Sequence, residues 1–138
     1  MGDLLCSRIV GRDTRTVPSD RATDAVNLVV SFNEAINAGN VAALAELMTD
    51  THRFIDAAGT AVEGRAACLA AWRGFFDAFP DYRNVFDTVD DVGSAVVIAR
   101  GRSECSFAAL QGPATWRAVV RDGLVDVWQV SEPAPTSG

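Results

Sequence analysis

Asp56 is the residue of this sequence whose type and surroundings best suit a general base. It ends a short segment, 51–56, that is predicted to be a β-strand. His52, Phe54 and Asp56 then share one face, because alternate residues of a strand point the same way. If that face looks into a pocket, desolvation among aromatic rings would make the carboxylate a stronger base. The alternative is an aspartate that only shapes a turn, accepting hydrogen bonds from the main-chain amides of Ala58 or Gly59.

His52 is the second candidate for proton transfer. It is the only histidine of the chain, and imidazole is the side chain whose ordinary pKa lies closest to neutrality. Four strand positions separate it from Asp56 by about 13 Å, which is too far for a direct hydrogen bond unless the strand bends. The simpler alternative is a partly exposed histidine at the rim of the fold.

Three tryptophans and one tyrosine are candidates for ligand contact. Trp72, Trp116 and Trp128 suit the wall of a pocket, and they suit an ordinary core equally well. Tyr82 can donate a hydroxyl hydrogen bond to a ligand, or it can be a surface phenol whose hydrogen bonds are already satisfied.

The charged residues of the later strands are expected to form cross-strand pairs on an exposed or dimer-facing surface. They are Arg100, Arg102, Glu104 and Arg117. The alternative is that one of these arginines binds a carboxylate substrate. Cys68 and Cys105 are expected to be small buried side chains, because no base stands beside either.

The composition excludes several kinds of chemistry. All 12 basic residues are arginine, so no lysine can form a Schiff base with a substrate or with pyridoxal phosphate, or serve a Walker A phosphate loop. Three cysteines without a C-x-x-C spacing, together with one histidine, argue against a structural zinc site. We therefore expect no metal and no cofactor.

Charge and hydropathy indicate the compartment and the partners. A formal net charge of −6 disfavours binding to nucleic acid or to an anionic membrane, because phosphate neutralisation supplies most of that affinity. The sequence contains no apolar run long enough to span a membrane and no signal-peptide core. With its odd number of cysteines, the protein is expected to be cytoplasmic. The abundance of alanine and arginine is typical of a bacterial source.

Three helices are predicted from apolar spacing and capping residues. The first follows Ser19 as its N-cap and ends at Gly39, which suits a left-handed C-cap. Asn40 caps a second helix, whose apolar stripe includes Met48. The third helix is predicted over 64–79.

Six strands are predicted, and the last four follow one another without a helix between them. Their ranges are 51–56, 61–63, 82–89, 94–107, 114–121 and 124–131. Asp122-Gly123 is the strongest hairpin signal, and 90–93 is predicted to be another turn. Helices followed by antiparallel strands indicate the α+β class. We expect three N-terminal helices packed in a curved antiparallel mixed sheet, forming a cone with a central pocket.

One domain is expected over residues 19–132, with tails at 1–18 and 133–138. A chain of 138 residues matches the usual length of a single domain. It is also long enough to bury a real core without disulfides or a metal.

Five segments, in this order and at this spacing, resemble the SnoaL-like and ketosteroid isomerase-like branch of the nuclear transport factor 2-like superfamily. They are residues 37–40, 54–59, 63–67, 79–83 and 121–128. Together they extend over almost the whole predicted domain. The resemblance implies the cone-shaped α+β fold and a homodimer that pairs through the open face of the sheet.

In ketosteroid isomerase, a carboxylate at the end of the first strand moves a proton beside a carbonyl group. A tyrosine and a protonated aspartic acid hold the carbonyl oxygen. By this resemblance the carboxylate falls on Asp56, the tyrosine on Phe32 and the aspartic acid near Trp116. The base is retained and both oxygen-binding donors are replaced, which argues against a true ketosteroid isomerase.

The resemblance and the residues together predict a small-molecule pocket protein. It would be a cofactor-independent isomerase or cyclase for an apolar, carbonyl-containing substrate, with Asp56 as general base and His52 as the second catalytic candidate. The predicted ligand-binding residues are Phe32, Phe54, Trp72, Tyr82, Trp116 and Trp128. The alternative is a non-catalytic ligand-binding or dimerisation domain that uses the same cone.

Overall fold

The computed structural model of this chain describes residues 18–131. The predicted tails therefore lie outside the described residues, apart from Pro18, which begins the first helix. The helices are α1 (Pro18–Ala38), α2 (Val41–Leu47) and α3 (Arg65–Ala78). The strands are β1 (Met48–Ile55), β2 (Ala61–Glu63), β3 (Arg83–Gly93), β4 (Val96–Glu104), β5 (Gly112–Arg121) and β6 (Leu124–Ser131). A turn of 3₁₀ helix covers Ala108–Leu110.

The six strands form one sheet in the order β2-β1-β6-β5-β4-β3. β1 lies parallel to β6, and every other neighbouring pair is antiparallel. The predicted α+β class, with a mixed sheet and four antiparallel strands after α3, is confirmed. Because β1 and β6 run in the same direction, their carboxyl ends lie together, with Ile55 beside Gln129.

α1 is amphipathic and buries one face against the sheet. Val29, Phe32 and Ile36 recur at three- and four-residue spacing and are at most 1% exposed. The helix ends at Gly39, whose φ of +63° lies in the left-handed region that favours glycine. Asn40 then caps α2 through its side chain, as predicted.

Several ends of elements differ from the prediction. Ser19 lies inside α1 instead of capping it, because the helix begins at Pro18, a residue type that suits the first helical position. Met48 opens β1 instead of closing α2, because its side chain is buried in the core and its backbone pairs with Val125. β4 ends at Glu104 instead of continuing to 107.

The hairpin between β3 and β4 is also displaced. β3 continues through the predicted turn at 90–93, where Asp91 pairs with Val97. The turn is made by Ser94 and Ala95, with φ values of +58° and +64°. Two residues with positive φ match the twist of a hairpin. The prediction was wrong here because these two positions carry none of the usual glycine or asparagine.

The helices cover the inner face of the sheet unequally. α1 packs against β3, β4 and β6, and α3 packs against β1 and β2. Large side chains fill the space under α1, where the rings of Phe32 and Trp128 lie 4.5 Å apart between centroids. The space between α3 and the far strands is not filled, and it forms a cavity.

Candidate functional site

The cavity has a volume of about 520 Å³ and is bounded by α3, the loop after β4 and the ends of β1 and β6. Its wall is mostly apolar and rich in aromatic rings. The aromatic wall residues are Phe54, Trp72, Phe75, Tyr82, Trp116 and Trp128. Among the described residues that form this wall, Asp56 is the only acidic one and none is basic. A cavity of this size and composition suits a small organic molecule.

Asp56 lies on the cavity wall directly after β1, and its side chain is half-buried. Its Oδ1 accepts hydrogen bonds from the main-chain amides of Ala58 at 3.0 Å and Thr60 at 2.9 Å. The residue therefore holds the turn that joins β1 to β2 and also faces the cavity. Asp56 thus has the turn hydrogen bonds of one sequence interpretation and the pocket position of the other.

His52 does not lie on the cavity wall. It is fully buried, with Nδ1 2.7 Å from the main-chain oxygen of Val125. The expectation of a partly exposed rim histidine was wrong, because the inward face of β1 at this point is covered by Phe32 of α1, 5.6 Å away between ring centroids. Burial lowers the pKa of His52 below 6.5, although the Val125 hydrogen bond and the charge of Asp126 act in the opposite direction.

Phe32, a predicted ligand-binding residue, is also absent from the cavity wall. It is fully buried in the core, packed between His52 and Trp128. α1 places it against the part of the sheet that this helix covers. The residue matched by resemblance to the ketosteroid isomerase tyrosine is thus placed as core packing.

The other five predicted ligand-binding residues all lie on the wall: Phe54, Trp72, Tyr82, Trp116 and Trp128. Two edge-to-face contacts hold Trp72 in place, one with Phe54 at 5.4 Å and one with Phe75 at 5.8 Å. Such contacts fix ring orientation as well as burying area. This side of the cavity is therefore a rigid aromatic surface.

Two buried polar residues of the wall, Asn84 and Ser103, were missed by sequence reasoning. Ser103 Oγ donates to Asn84 Oδ1 at 3.0 Å and lies 3.1 Å from Tyr82 Oη. Burial raises the pKa of Tyr82, although the neighbouring polar side chains of Ser103 and Asn84 act in the opposite direction. The one sequence signal for this polar group was a pair of asparagines, Asn33 and Asn37, four residues apart on α1. Both donate hydrogen bonds to the main-chain oxygen of Asn84.

Two of the four residues predicted to form cross-strand pairs, Arg100 and Arg102, do so at the surface, whereas Glu104 pairs with Arg102 of its own strand. Arg100 lies 4.0 Å from Asp90, and Arg102 lies 3.8 Å from Asp87. All four side chains are more than half exposed, so each pair contributes at most about 1 kcal/mol. No arginine of residues 18–131 lies on the cavity wall, which leaves the carboxylate-binding alternative without support among them.

Both cysteines within the described residues are buried and free. Cys68 lies on the cavity wall, where its thiol contacts the main-chain oxygen of Val62 at 3.3 Å. Burial raises the pKa of the Cys68 thiol, although the main-chain hydrogen bond from Phe54 acts against it. A raised pKa disfavours the thiolate and therefore a nucleophilic role.

Within residues 18–131, no three side chains of the types that ligate metals come close enough to share an ion. None of the helices there combines the length and the apolar character that crossing a bilayer requires. The absence of a bound metal or cofactor remains a prediction from the sequence.

A family model described as a SnoaL-like domain matches residues 29–132 of this chain. The match begins within α1 and includes every strand of the sheet. It therefore extends over all the elements that form the cavity. No curated protein matches the sequence significantly.

Solved structures from several bacteria share the fold. An LEH-like epoxide hydrolase from M. tuberculosis superposes with a TM-score of 0.72 at 14% identity, covering 80% of this chain and 84% of its own. A proposed ketosteroid isomerase from Kribbella flavida gives 0.70 at 16%, covering 85% and 83%. A proposed SnoaL-like polyketide cyclase from Jannaschia sp. CCS1 gives 0.69 at 20%, covering 83% and 89%. Identities this low establish a shared fold, and this fold supports several different reactions.

Proposed function

The chain belongs to the SnoaL-like domain family, and we propose that it is a cofactor-independent isomerase or cyclase. Its substrate is a small, largely apolar molecule that carries a carbonyl group and enters the cavity beside α3. Asp56 is the general base.

The observation that carries this proposal is the isolation of Asp56 on an aromatic wall. Among the described residues of the wall it is the only carboxylate, and no arginine competes for it there. Its Oδ1 accepts two main-chain hydrogen bonds, while Oδ2 accepts none within the described residues. The two amide hydrogen bonds fix the orientation of the carboxylate, and the second oxygen is left for a substrate hydrogen.

The proposed reaction needs only one proton and no change of oxidation state. Asp56 takes a hydrogen from the carbon next to the carbonyl group, so a C–H bond breaks and an O–H bond forms on the carboxylate. The electron pair moves to the carbonyl oxygen as an enolate. Return of the proton to another carbon isomerises the substrate, whereas attack of the enolate carbon on a second carbonyl closes a ring. General base catalysis of this kind contributes roughly 10²- to 10⁴-fold.

A non-catalytic ligand-binding domain is the second candidate function. The hydrogen bonds from Ala58 and Thr60 favour it, because they give Asp56 a structural reason to be present. On this view the cavity binds the same class of molecule and no proton is transferred.

Deuterium exchange into a ketone separates the two candidates. 1-Tetralone, an apolar bicyclic ketone with two exchangeable hydrogens beside its carbonyl group, is incubated with the protein in D₂O. We expect wild-type protein to accelerate the exchange and Asp56→Asn to lower the rate at least about 100-fold. Asparagine retains the oxygen that accepts the turn hydrogen bonds, so the turn is preserved while the base is removed.

Asp50→Asn is the matched control. Asp50 is an exposed carboxylate near Arg65, at 3.8 Å, and it does not lie on the wall. Its variant is expected to exchange at the wild-type rate. Equal exchange by wild type and Asp56→Asn would rule out Asp56 as the base, and no acceleration by wild type would favour the binding-only candidate.

A further inference from the structure

The cavity wall holds buried hydrogen-bond donors that no acceptor satisfies. Six buried side-chain nitrogen or oxygen atoms among the described residues have no partner. Four of them belong to wall residues, and all four are N–H groups. They are Nδ2 of Asn84 and the indole nitrogens of Trp72, Trp116 and Trp128. Because buried polar groups are normally paired, unpaired donors concentrated at one cavity suit a ligand that offers an acceptor.

Three wall residues form a hydrogen-bonded chain, which we name the donor triad: Tyr82, Ser103 and Asn84. The hydroxyl oxygens of Tyr82 and Ser103 are 3.1 Å apart, and Ser103 donates to Asn84 at 3.0 Å. Ser103 is 8% exposed and Asn84 is 2% exposed. The triad is thus a built polar feature within an apolar wall.

The hydrogen bonds within the donor triad leave some of its polar hydrogens unpaired. Tyr82 and Ser103 each have one hydroxyl hydrogen, and the Asn84 amide has two. Since Ser103 donates to Asn84, Tyr82 must donate to Ser103, and both amide hydrogens stay unpaired. A 180° rotation of the amide reverses both bonds and still leaves two hydrogens unpaired, one on Asn84 and one on Tyr82. Either arrangement leaves two hydrogens of the triad unpaired.

α1 holds the triad in place from behind. The amide groups of Asn33 and Asn37 donate to the main-chain oxygen of Asn84 at 3.1 Å and 2.9 Å. The main-chain amide of Asn84 donates to Asn37 Oδ1 at 2.8 Å. These bonds satisfy the backbone of Asn84 and leave its side chain to the triad. Donors fixed in this way bind an acceptor without reorganising.

We infer that the donor triad is the subsite that takes the carbonyl oxygen of a neutral, largely apolar ligand. The unpaired hydrogens of the triad need an acceptor, and a ketone oxygen accepts without carrying charge. A carboxylate would also accept, but it would be buried with no basic residue to pair with it among the described residues of the wall. The inference rests on the proposed function, because it names the group that orients the ligand of the same cavity.

Tryptophan fluorescence can report binding to this cavity directly. The chain has three tryptophans, and all three lie on the wall. The probes are 1-tetralone, tetralin, which lacks the carbonyl oxygen, and 1-naphthoate, which is an anion. We expect 1-tetralone to bind, and 1-naphthoate to bind at least about tenfold more weakly because its charge is uncompensated.

Asn84→Leu removes the unpaired amide hydrogens and keeps a side chain of similar size. We expect the ratio of 1-tetralone affinity to tetralin affinity to fall about tenfold, with tetralin binding retained. Asn27→Leu is the matched control, because it makes the same asparagine-to-leucine change on the exposed surface of α1, away from the cavity wall. Its ratio is expected to stay at the wild-type value.

The carbonyl carbon of ¹³C-labelled 1-tetralone provides a second readout. Hydrogen bonding to the oxygen should move its resonance downfield on binding to wild type, and Tyr82→Phe should reverse part of that shift. If Asn84→Leu does not fold, the affinity ratio and the carbonyl shift of Tyr82→Phe test the inference in its place. No binding of 1-tetralone, or an unchanged affinity ratio together with an unchanged carbonyl shift, would overturn the inference.

The two proposals fail in different ways. Binding that depends on the triad, without deuterium exchange, would retain the inference and remove the catalytic role of Asp56. Exchange that depends on Asp56 but not on the triad would retain the proposed reaction and overturn the inference.

Discussion

His52 lies in the core with its Nδ1 against the main-chain oxygen of Val125. A carbonyl oxygen can only accept, so Nδ1 carries the hydrogen and Nε2 is unprotonated. Nε2 is buried and has no partner within the described residues. Protonating it would place a charge in the core beside Phe32, away from water, which is why burial lowers the pKa of His52.

The lowered pKa makes the stability of the protein depend on pH. Near pH 6.5, the ordinary pKa of histidine, the unfolded chain takes up a proton at His52 and the folded chain does not. The free energy of unfolding is therefore expected to fall as the pH drops below about 6.5, with a slope approaching 1.4 kcal/mol per pH unit. Urea unfolding at about pH 7.5 and about pH 5.5 measures the difference.

His52→Gln is the control for this slope, because glutamine keeps an N–H donor and does not titrate. Desolvation raises the pKa of Asp126, but hydrogen bonds from Thr49 and Thr51 and the charge of Arg121 lower it below 3.8 overall. The stability that Asp126 contributes is present above about pH 3.8 and is lost only below it. It therefore does not change between about pH 7.5 and about pH 5.5. A slope of the same size in wild type and His52→Gln would assign the effect to another group.

The sequence indicated the aromatic side of the site better than its polar side. Tryptophans and phenylalanines on predicted helices and strands are visible as apolar periodicity. Asn84 and Ser103 are not, because each lies among other polar residues of its strand, so local pattern does not distinguish them. Their meaning depends on partners far along the chain: Asn84 is 51 positions from Asn33 and 19 from Ser103.

At the level of secondary structure, strands with strong local sequence signals were predicted with their correct first and last residues. β2 and β6 begin and end as expected, and the Asp122-Gly123 turn lies where its sequence places it. The segment 90–93 has the composition of a turn, yet it pairs with β4. Strand pairing outweighs local preference there, because β propensity depends on the neighbours a strand finds.

Gly101 of β4 shows how closely two strands can approach at a bulge. The register between β3 and β4 shifts between Phe86 and Thr88, and a Cβ at Gly101 would lie 1.9 Å from the main-chain oxygen of Val85. A main-chain atom in a sheet cannot move aside cheaply. Gly101→Ala is therefore expected to lower the free energy of unfolding by about 3 kcal/mol.

Gly74→Ala is the matched control for that substitution. Gly74 lies in the interior of α3, is exposed, and a Cβ there would meet nothing within 4 Å. Alanine is expected to stabilise the helix by about 0.5–1 kcal/mol. Urea unfolding of both variants measures whether each substitution lowers or raises the free energy of unfolding. A stable Gly101→Ala protein would contradict the bulged register of β3 and β4.

At the scale of the whole molecule, hydrophobic patterning determines the fold and leaves the reaction open. The order of helices and strands follows from apolar spacing, and the cavity follows from α1 and α3 covering different strands. The reaction depends on a few wall residues that the fold tolerates in many versions. This is why family membership followed from the sequence while the roles of Asp56 and Asn84 need experiments.

The outer face of the sheet is the remaining feature at this scale. Val97 and Ala99 of β4 are buried against the helices, so Val96 and Ile98 point to the opposite face. There Val96 pairs with Val119 of β5, which extends an aliphatic row across the sheet. We propose that a second copy of the chain covers this row, in agreement with the homodimer that the family resemblance implies.

Ile98→Glu tests this dimer, because it places a carboxylate in the middle of the outer face without touching the cavity wall. Wild-type protein is expected to have twice the mass of one chain by light scattering at micromolar concentration, and Ile98→Glu is expected to have the mass of one. Ala70→Glu, on the exposed surface of α3, should leave the dimer intact. A monomeric wild type would exclude the dimer. A monomeric Ile98→Glu that still binds 1-tetralone would show that each chain holds a complete ligand site.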